Sequence, residues 1–140
     1  IGEVLRESGY SKRDENGNII KVDGKPVKVP GKLKEVKGMG VYLEKYGITQ
    51  VSMNLTNYNT TPIHVAFEAV KKEAERLGVE VNGSEIVGLL PLESLLQAGK
   101  FYTGNKENNE QKLIDAAIEN LGLNNLHPFN PNQKIIEFMI

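Results

Sequence analysis

The sequence predicts an α+β fold, and three observations carry that expectation. Residues 36–44 and 48–56 alternate apolar with small or polar side chains, the period-two pattern of half-buried strands. Ile63, Phe67, Val70, Ala74 and Leu77 then recur at three- or four-residue spacing, the single apolar stripe of an amphipathic helix. The chain of 140 residues is 39% hydrophobic and 25% charged, which lies well outside the regime of disorder and suits one folded domain or a large piece of one.

Composition also excludes several functions. Seventeen Lys and Arg stand against 18 Asp and Glu for a net charge of −1, so the surplus of cations that phosphate binding needs is missing and no nucleic-acid partner is expected. Zero cysteines remove a disulfide scaffold, a thiol nucleophile and a zinc–thiolate site; they leave the compartment open while fitting a reducing, cytoplasmic setting. No apolar run approaches a membrane span, and no basic and apolar leader opens the chain. Residues 1–6, Ile-Gly-Glu-Val-Leu-Arg, read as the inside of an amphipathic helix, which makes this the expected later part of a longer polypeptide.

The elements follow in order. Ser8-Gly9 ends the helical opening, and a polar stretch covers 11–17. Residues 18–29 form two short β-branched runs around Asp23-Gly24, a tight-turn pair, with Pro26 confining its strand to an edge; they predict a peripheral hairpin. The main strands at 36–44 and 48–56 are joined through Tyr46-Gly47 and are expected to pair antiparallel. Thr61 as N-cap and Pro62 in the first helical position open a helix that Gly78 ends, with Glu68 and Lys72 as a favourable pair on its wet side. A third strand is expected at 84–90, a helix from Pro91 through Phe101, and another over 108–121 with Gly122 at its end. Residues 134–140 suit a final strand.

Helix, strand, strand, helix, strand is a βαββαβ unit without its first strand, so the expected architecture is a ferredoxin-like sandwich: an antiparallel sheet with helices on one face. The absent strand is interior in that arrangement. An upstream segment, the 18–29 hairpin or a partner chain would have to fill the gap.

Three stretches are more specific. Gln50-Val-Ser-Met-Asn-Leu-Thr-Asn57, Thr61-Pro-Ile-His64 and Val81-Asn-Gly-Ser-Glu-Ile-Val-Gly-Leu-Leu-Pro-Leu92 together resemble the C-terminal subdomain of glutamate formimidoyltransferases. Gly31-Lys-Leu-Lys34, Gly38-Met-Gly-Val-Tyr-Leu43, Leu121-Gly-Leu123, Pro128-Phe129 and Ile135-Ile-Glu137 fit the same family. The resemblance spans nearly the whole chain, 1–140, apart from the hairpin, where residues 12–30 are longer than the corresponding family loop. It implies a transferase of histidine breakdown and one-carbon metabolism that moves the formimidoyl group of N-formimidoyl-L-glutamate to tetrahydrofolate. It further implies folate bound between two subdomains, a homo-oligomer, and a catalytic histidine on an N-terminal subdomain that this chain does not contain. No catalytic residue and no metal site are therefore expected here, and the chain alone is expected to be inactive.

Within that resemblance, Gln50, Ser52, Asn54 and Thr56 form an uncharged polar row suited to the donor- and acceptor-rich edge of a pterin. Gly38 and Gly40 would share that face if the strands are in register; they either let a flat ligand approach the backbone or mark a bulge or packing contact. Glu85 would bind a polar ligand edge or form a surface ion pair. His64 sits in the first turn of its helix, where the helix dipole opposes protonation; packing or hydrogen bonding is its expected role. His127 is expected in a surface loop, and Lys32 and Lys34 are either solvated or meet carboxylates of a folate. The contrasting reading is a noncatalytic ferredoxin-like module for ligand binding or assembly.

Overall fold

The computed structural model describes all 140 residues and divides into two compact units, Ile1–Thr61 and Pro62–Ile140. The first opens with helix α1 (Gly2–Leu5), followed by four two-residue strands: β1 (Tyr10–Ser11), β2 (Lys21–Val22), β3 (Lys25–Pro26) and β4 (Lys28–Val29). The hairpin expected at 18–29 is present. β2 and β3 pair antiparallel around Asp23 and Gly24, whose φ of 50° and 75° supply the left-handed turn, while β4 pairs with β1.

Two long strands follow, β5 (Val36–Leu43) and β6 (Ile48–Leu55), antiparallel in unbroken register from Val36 opposite Leu55 to Leu43 opposite Ile48. Gly47, with φ of 63°, closes the turn by donating its N–H to Leu43 O at 2.9 Å. Leu5, Leu33 and Val36 are buried where α1 packs against β5. The hairpin strands pair only among themselves and β1, so they do not extend this sheet.

The second unit is helical: α2 (Ile63–Arg76), α3 (Leu92–Tyr102), α4 (Glu110–Asn120) and α5 (Pro131–Lys134), then a 3-10 turn at Ile136–Phe138. Its core joins Leu90, Leu95, Ala98, Ile114, Ala117, Leu121, Leu123 and Ile135, with Ile63 and Phe67 of the α2 stripe and Ile86 packed on it. Asn109 caps α4 by accepting the Lys112 N–H at 3.1 Å.

Several expectations need correction. Pro62, extended at φ −60° and ψ 157°, is the N-cap of α2 rather than its first helical residue. Thr61 does not cap: its buried hydroxyl donates to Lys34 O at 2.8 Å. Glu68 pairs with Lys71 at 3.3 Å. Residues 84–90 do not form a strand. Their backbone-to-backbone pairing with the 134–136 segment is confined to Leu90, which bridges Ile135 in parallel, and Gly88 at φ 78° turns the chain; a β-branched run without a neighbouring strand has nothing to ladder with. The final strand expected at 134–140 is likewise absent. Pro131 and the Asn130 side chain, which accepts the Asn132 N–H at 3.0 Å, start a helical turn there instead. The α+β class with antiparallel strands stands, and the sheets are two-stranded.

Candidate functional site

The long hairpin presents the candidate row. In an antiparallel ladder, directly opposite residues share a face. Gln50, Ser52 and Asn54 oppose Val41, Met39 and Lys37, so an uncharged polar row on β6 lies beside a mostly apolar row on β5. Ser52 and Asn54 are exposed, Gln50 is half-buried and Met39 is 58% exposed. Thr56 lies beyond the end of β6, and its hydroxyl donates to Glu35 O at 2.9 Å.

Gly38 and Gly40 are on the opposite face. They oppose Met53 and Val51, because the four residues between Leu43 and Ile48 set even-numbered positions of one strand against odd-numbered positions of the other. Alternation within a strand fixes which of its own residues travel together; only the turn fixes which row they meet across the ladder. The two glycines also differ from each other. A Cβ on Gly38 would lie 3.3 Å from Gly2 O and 3.5 Å from the Arg6 Cβ, so this glycine lets α1 approach the sheet, the packing alternative for that position. Beside Gly40 there is open space.

Glu85 belongs to the second unit, where it is exposed and lines a small cleft with Ser84, Ile86, His127 and Lys134. The Lys134 Nζ there donates to Ile86 O at 2.9 Å, holding the extended segment that carries Glu85. Lys32 and Lys34 are exposed in the first unit.

His64 stacks on Phe101 with ring centroids 4.7 Å apart, and its buried Nδ1 has no hydrogen-bond partner. Burial lowers its pKa, with the Glu68 carboxylate pulling the other way. Next to it the Tyr102 hydroxyl donates to Glu68 Oε1 at 2.9 Å, and burial together with that carboxylate holds the phenol well above its usual pKa. Linear spacing gives no sign of this cluster, since Glu68 and Tyr102 lie on different helices and meet only when α2 and α3 pack. No group of three or more His, Asp or Glu side chains is arranged to hold a metal ion.

In class, then, the molecule is an α+β chain that displays an uncharged polar row on an antiparallel hairpin, with no helix long and apolar enough to cross a membrane. Comparison with known proteins takes this further. The model of the formiminotransferase domain matches residues 1–140, and the chain belongs to that family. It is 41% identical over 124 residues to a formimidoyltransferase-cyclodeaminase of Gallus gallus, covering 86% of this chain and 23% of that protein. A formimidoyltransferase-cyclodeaminase of Dictyostelium discoideum is 45% identical over 115 residues, 79% of this chain and 21% of the relative. A glutamate formimidoyltransferase of Thermoplasma acidophilum is 40% identical over 89 residues, 64% of this chain and 29% of that protein. The chain thus spans about a quarter of the length of the curated relatives it matches.

Proposed function

We propose that this chain supplies the folate-binding part of a glutamate formimidoyltransferase, which transfers the formimidoyl group of N-formimidoyl-L-glutamate to tetrahydrofolate in histidine degradation. One observation carries the reading: a chain whose whole length matches the formiminotransferase family displays Gln50, Ser52 and Asn54 together on one strand face, with no charge among the three. A pterin offers several donors and acceptors on one flat edge beside an apolar ring face. A row of neutral amides and a hydroxyl next to Met39 and Val41 answers both halves of that chemistry.

In the reaction the folate N5 amine attacks the formimidoyl carbon, a tetrahedral intermediate forms, and the carbon–nitrogen bond to glutamate breaks. A base takes the proton from N5, and an acid returns one to the departing glutamate nitrogen; each such group is worth about 10²–10⁴-fold. In this proposal those groups lie on an N-terminal formiminotransferase subdomain, completing a ferredoxin-like pair in a cytoplasmic homo-oligomer. Gln50, Ser52 and Asn54 bind and orient the cofactor edge. Glu85, on the second unit, offers a carboxylate to a polar ligand group, whereas Gly38, which seats α1, and Gly40, which leaves its strand open, face away from the polar row. His64 has no acid–base part, because its imidazole is stacked on Phe101 and its Nδ1 is buried.

Titration calorimetry with tetrahydrofolate tests the reading. Saturable binding to the chain, alone or with the N-terminal subdomain added, is expected, together with formimidoyl transfer only in the combined sample. No binding in either sample overturns the folate role, and turnover by residues 1–140 alone overturns the assignment of the chemistry to the other subdomain.

A further inference from the structure

Each strand of the β5–β6 ladder has eight residues, and Lys37 is the one residue among them that carries a charge. It stands directly opposite Asn54, on the face that also displays Gln50 and Ser52. Lys37 is exposed, and no carboxylate of the chain pairs with it; the one on Glu7 accepts the Glu35 N–H instead, at 2.7 Å. The face is therefore graded along its length. Taken as cross-strand pairs it runs from Lys37–Asn54 through Met39–Ser52 and Val41–Gln50 to Leu43–Ile48, with a cation at one end and two apolar side chains at the other. Exposure follows the same direction: Lys37, Asn54, Met39 and Ser52 are exposed, whereas Val41, Gln50, Leu43 and Ile48 are half-buried.

We infer that this gradient sets the direction of the bound cofactor: tetrahydrofolate lies along the row with its pterin toward Gln50 and Val41, its benzoyl ring across Met39 and its glutamate at Lys37 and Asn54. The inference rests on the folate reading and adds Lys37 to it as the residue that selects the glutamate tail. The spacing agrees. Val41 and Lys37 are four positions apart on one strand, about 13 Å at roughly 3.3 Å per residue. Standard bond lengths put the glutamate carboxylates roughly 12–14 Å from the centre of the pterin ring in an extended folate. Charge agrees as well. Tetrahydrofolate is neutral and rich in donors and acceptors at its ring and dianionic at its tail, so an amide beside the ring and an ammonium beside the tail each meet matching chemistry. In the reverse direction the two carboxylates would lie against Leu43 and Ile48 and lose water without a counter-charge. Met39 presents an exposed thioether in the middle of the row, where sulfur makes a favourable contact with an aromatic ring.

Two probes test the direction: tetrahydrofolate, and methyltetrahydropterin, which keeps the ring and lacks the tail. Both are titrated into the chain combined with its N-terminal subdomain. Lys37→Gln is expected to weaken tetrahydrofolate binding about 3–10-fold, as loss of one partly solvated charge contact does, and to leave methyltetrahydropterin binding unchanged. Added salt erodes tetrahydrofolate affinity more in the parent than in Lys37→Gln. Gln50→Ala weakens both probes by the same factor. Because Lys37 is exposed, the unfolding midpoint of Lys37→Gln stays that of the parent, which separates a binding effect from a folding one. Three results overturn the inference while leaving folate binding in place: tetrahydrofolate affinity unmoved by Lys37→Gln, an equal loss for both probes in that variant, or a Gln50→Ala loss confined to tetrahydrofolate. Absence of tetrahydrofolate binding by the parent overturns the folate reading itself, and this direction with it.

Discussion

Residues Ile1–Thr61 and Pro62–Ile140 reach order by different means. The second unit is organised by side chains: eight buried apolar residues on an extended loop, α3, α4 and the C-terminal segment form one contiguous core. The first is organised by backbone. It buries few apolar side chains and relies on an eight-residue ladder, two small strand pairs and a short helix laid on a glycine. The lesson concerns where change is tolerated. A sheet face that owes little to side-chain burial can devote its side chains to a ligand or a partner, whereas a packed helical core cannot.

The sharpest way to break that comparison is to truncate one residue from each region. Leu95, fully buried between core neighbours, should cost about 2–5 kcal/mol on replacement by Ala, read as a fall in the urea midpoint. Met39, 58% exposed on the sheet, should change stability by no more than about 0.5 kcal/mol in the same measurement. Equal losses at the two positions would remove the contrast. A smaller effect is expected where each region depends on local geometry. Gly24→Ala, forced to a φ of 75°, should cost about 1–2 kcal/mol in the hairpin. Asn109→Ala should cost about 1 kcal/mol through loss of the α4 cap.

The polar row should behave in the opposite sense. Asn54→Ala removes an exposed amide and is expected to leave the unfolding midpoint in place while weakening tetrahydrofolate binding about 2–10-fold, as loss of one neutral hydrogen bond does. A shifted midpoint with unchanged binding would mark Asn54 as part of the scaffold.

The smallest effect is a pH dependence confined to the helical unit. Because the folded-state pKa of His64 is lowered, the unfolded chain binds a proton at higher pH than the folded one. Stability attached to this group is present above the ordinary imidazole range near 6.5 and declines as pH falls through it. Denaturation midpoints between pH 7.5 and 5 should therefore decline less in His64→Phe than in the parent. An identical decline in both chains would remove His64 from the account.

Much of this was readable along the chain. The stripe from Ile63 to Ala74 located α2, Asp23-Gly24 located the small hairpin, and alternation located both long strands, because each signal is carried by near neighbours. The misreadings share a cause. Ser84–Leu90 has the composition of a strand, yet strand formation depends on a neighbour that composition does not specify. Thr61 has the type of an N-cap, yet its hydroxyl is taken by Lys34 O, far away in sequence. Glu73 follows no apolar pattern and is nevertheless buried, with Arg76 at 2.9 Å to pair its carboxylate.

For the candidate site, the sequence determined by itself that Gln50, Ser52 and Asn54 travel together, since side chains two apart on a strand must point the same way. It also determined the family, through motifs spread across the chain. Only the tertiary structure decided what stands beside that row. The turn from Glu44 to Gly47 sets the cross-strand register, which brings Met39 and Val41 next to the polar side chains and sends Gly38 and Gly40 to the other face. Local periodicity is a property of one segment, whereas register is a relation between two, and a relation is settled only when the segments meet.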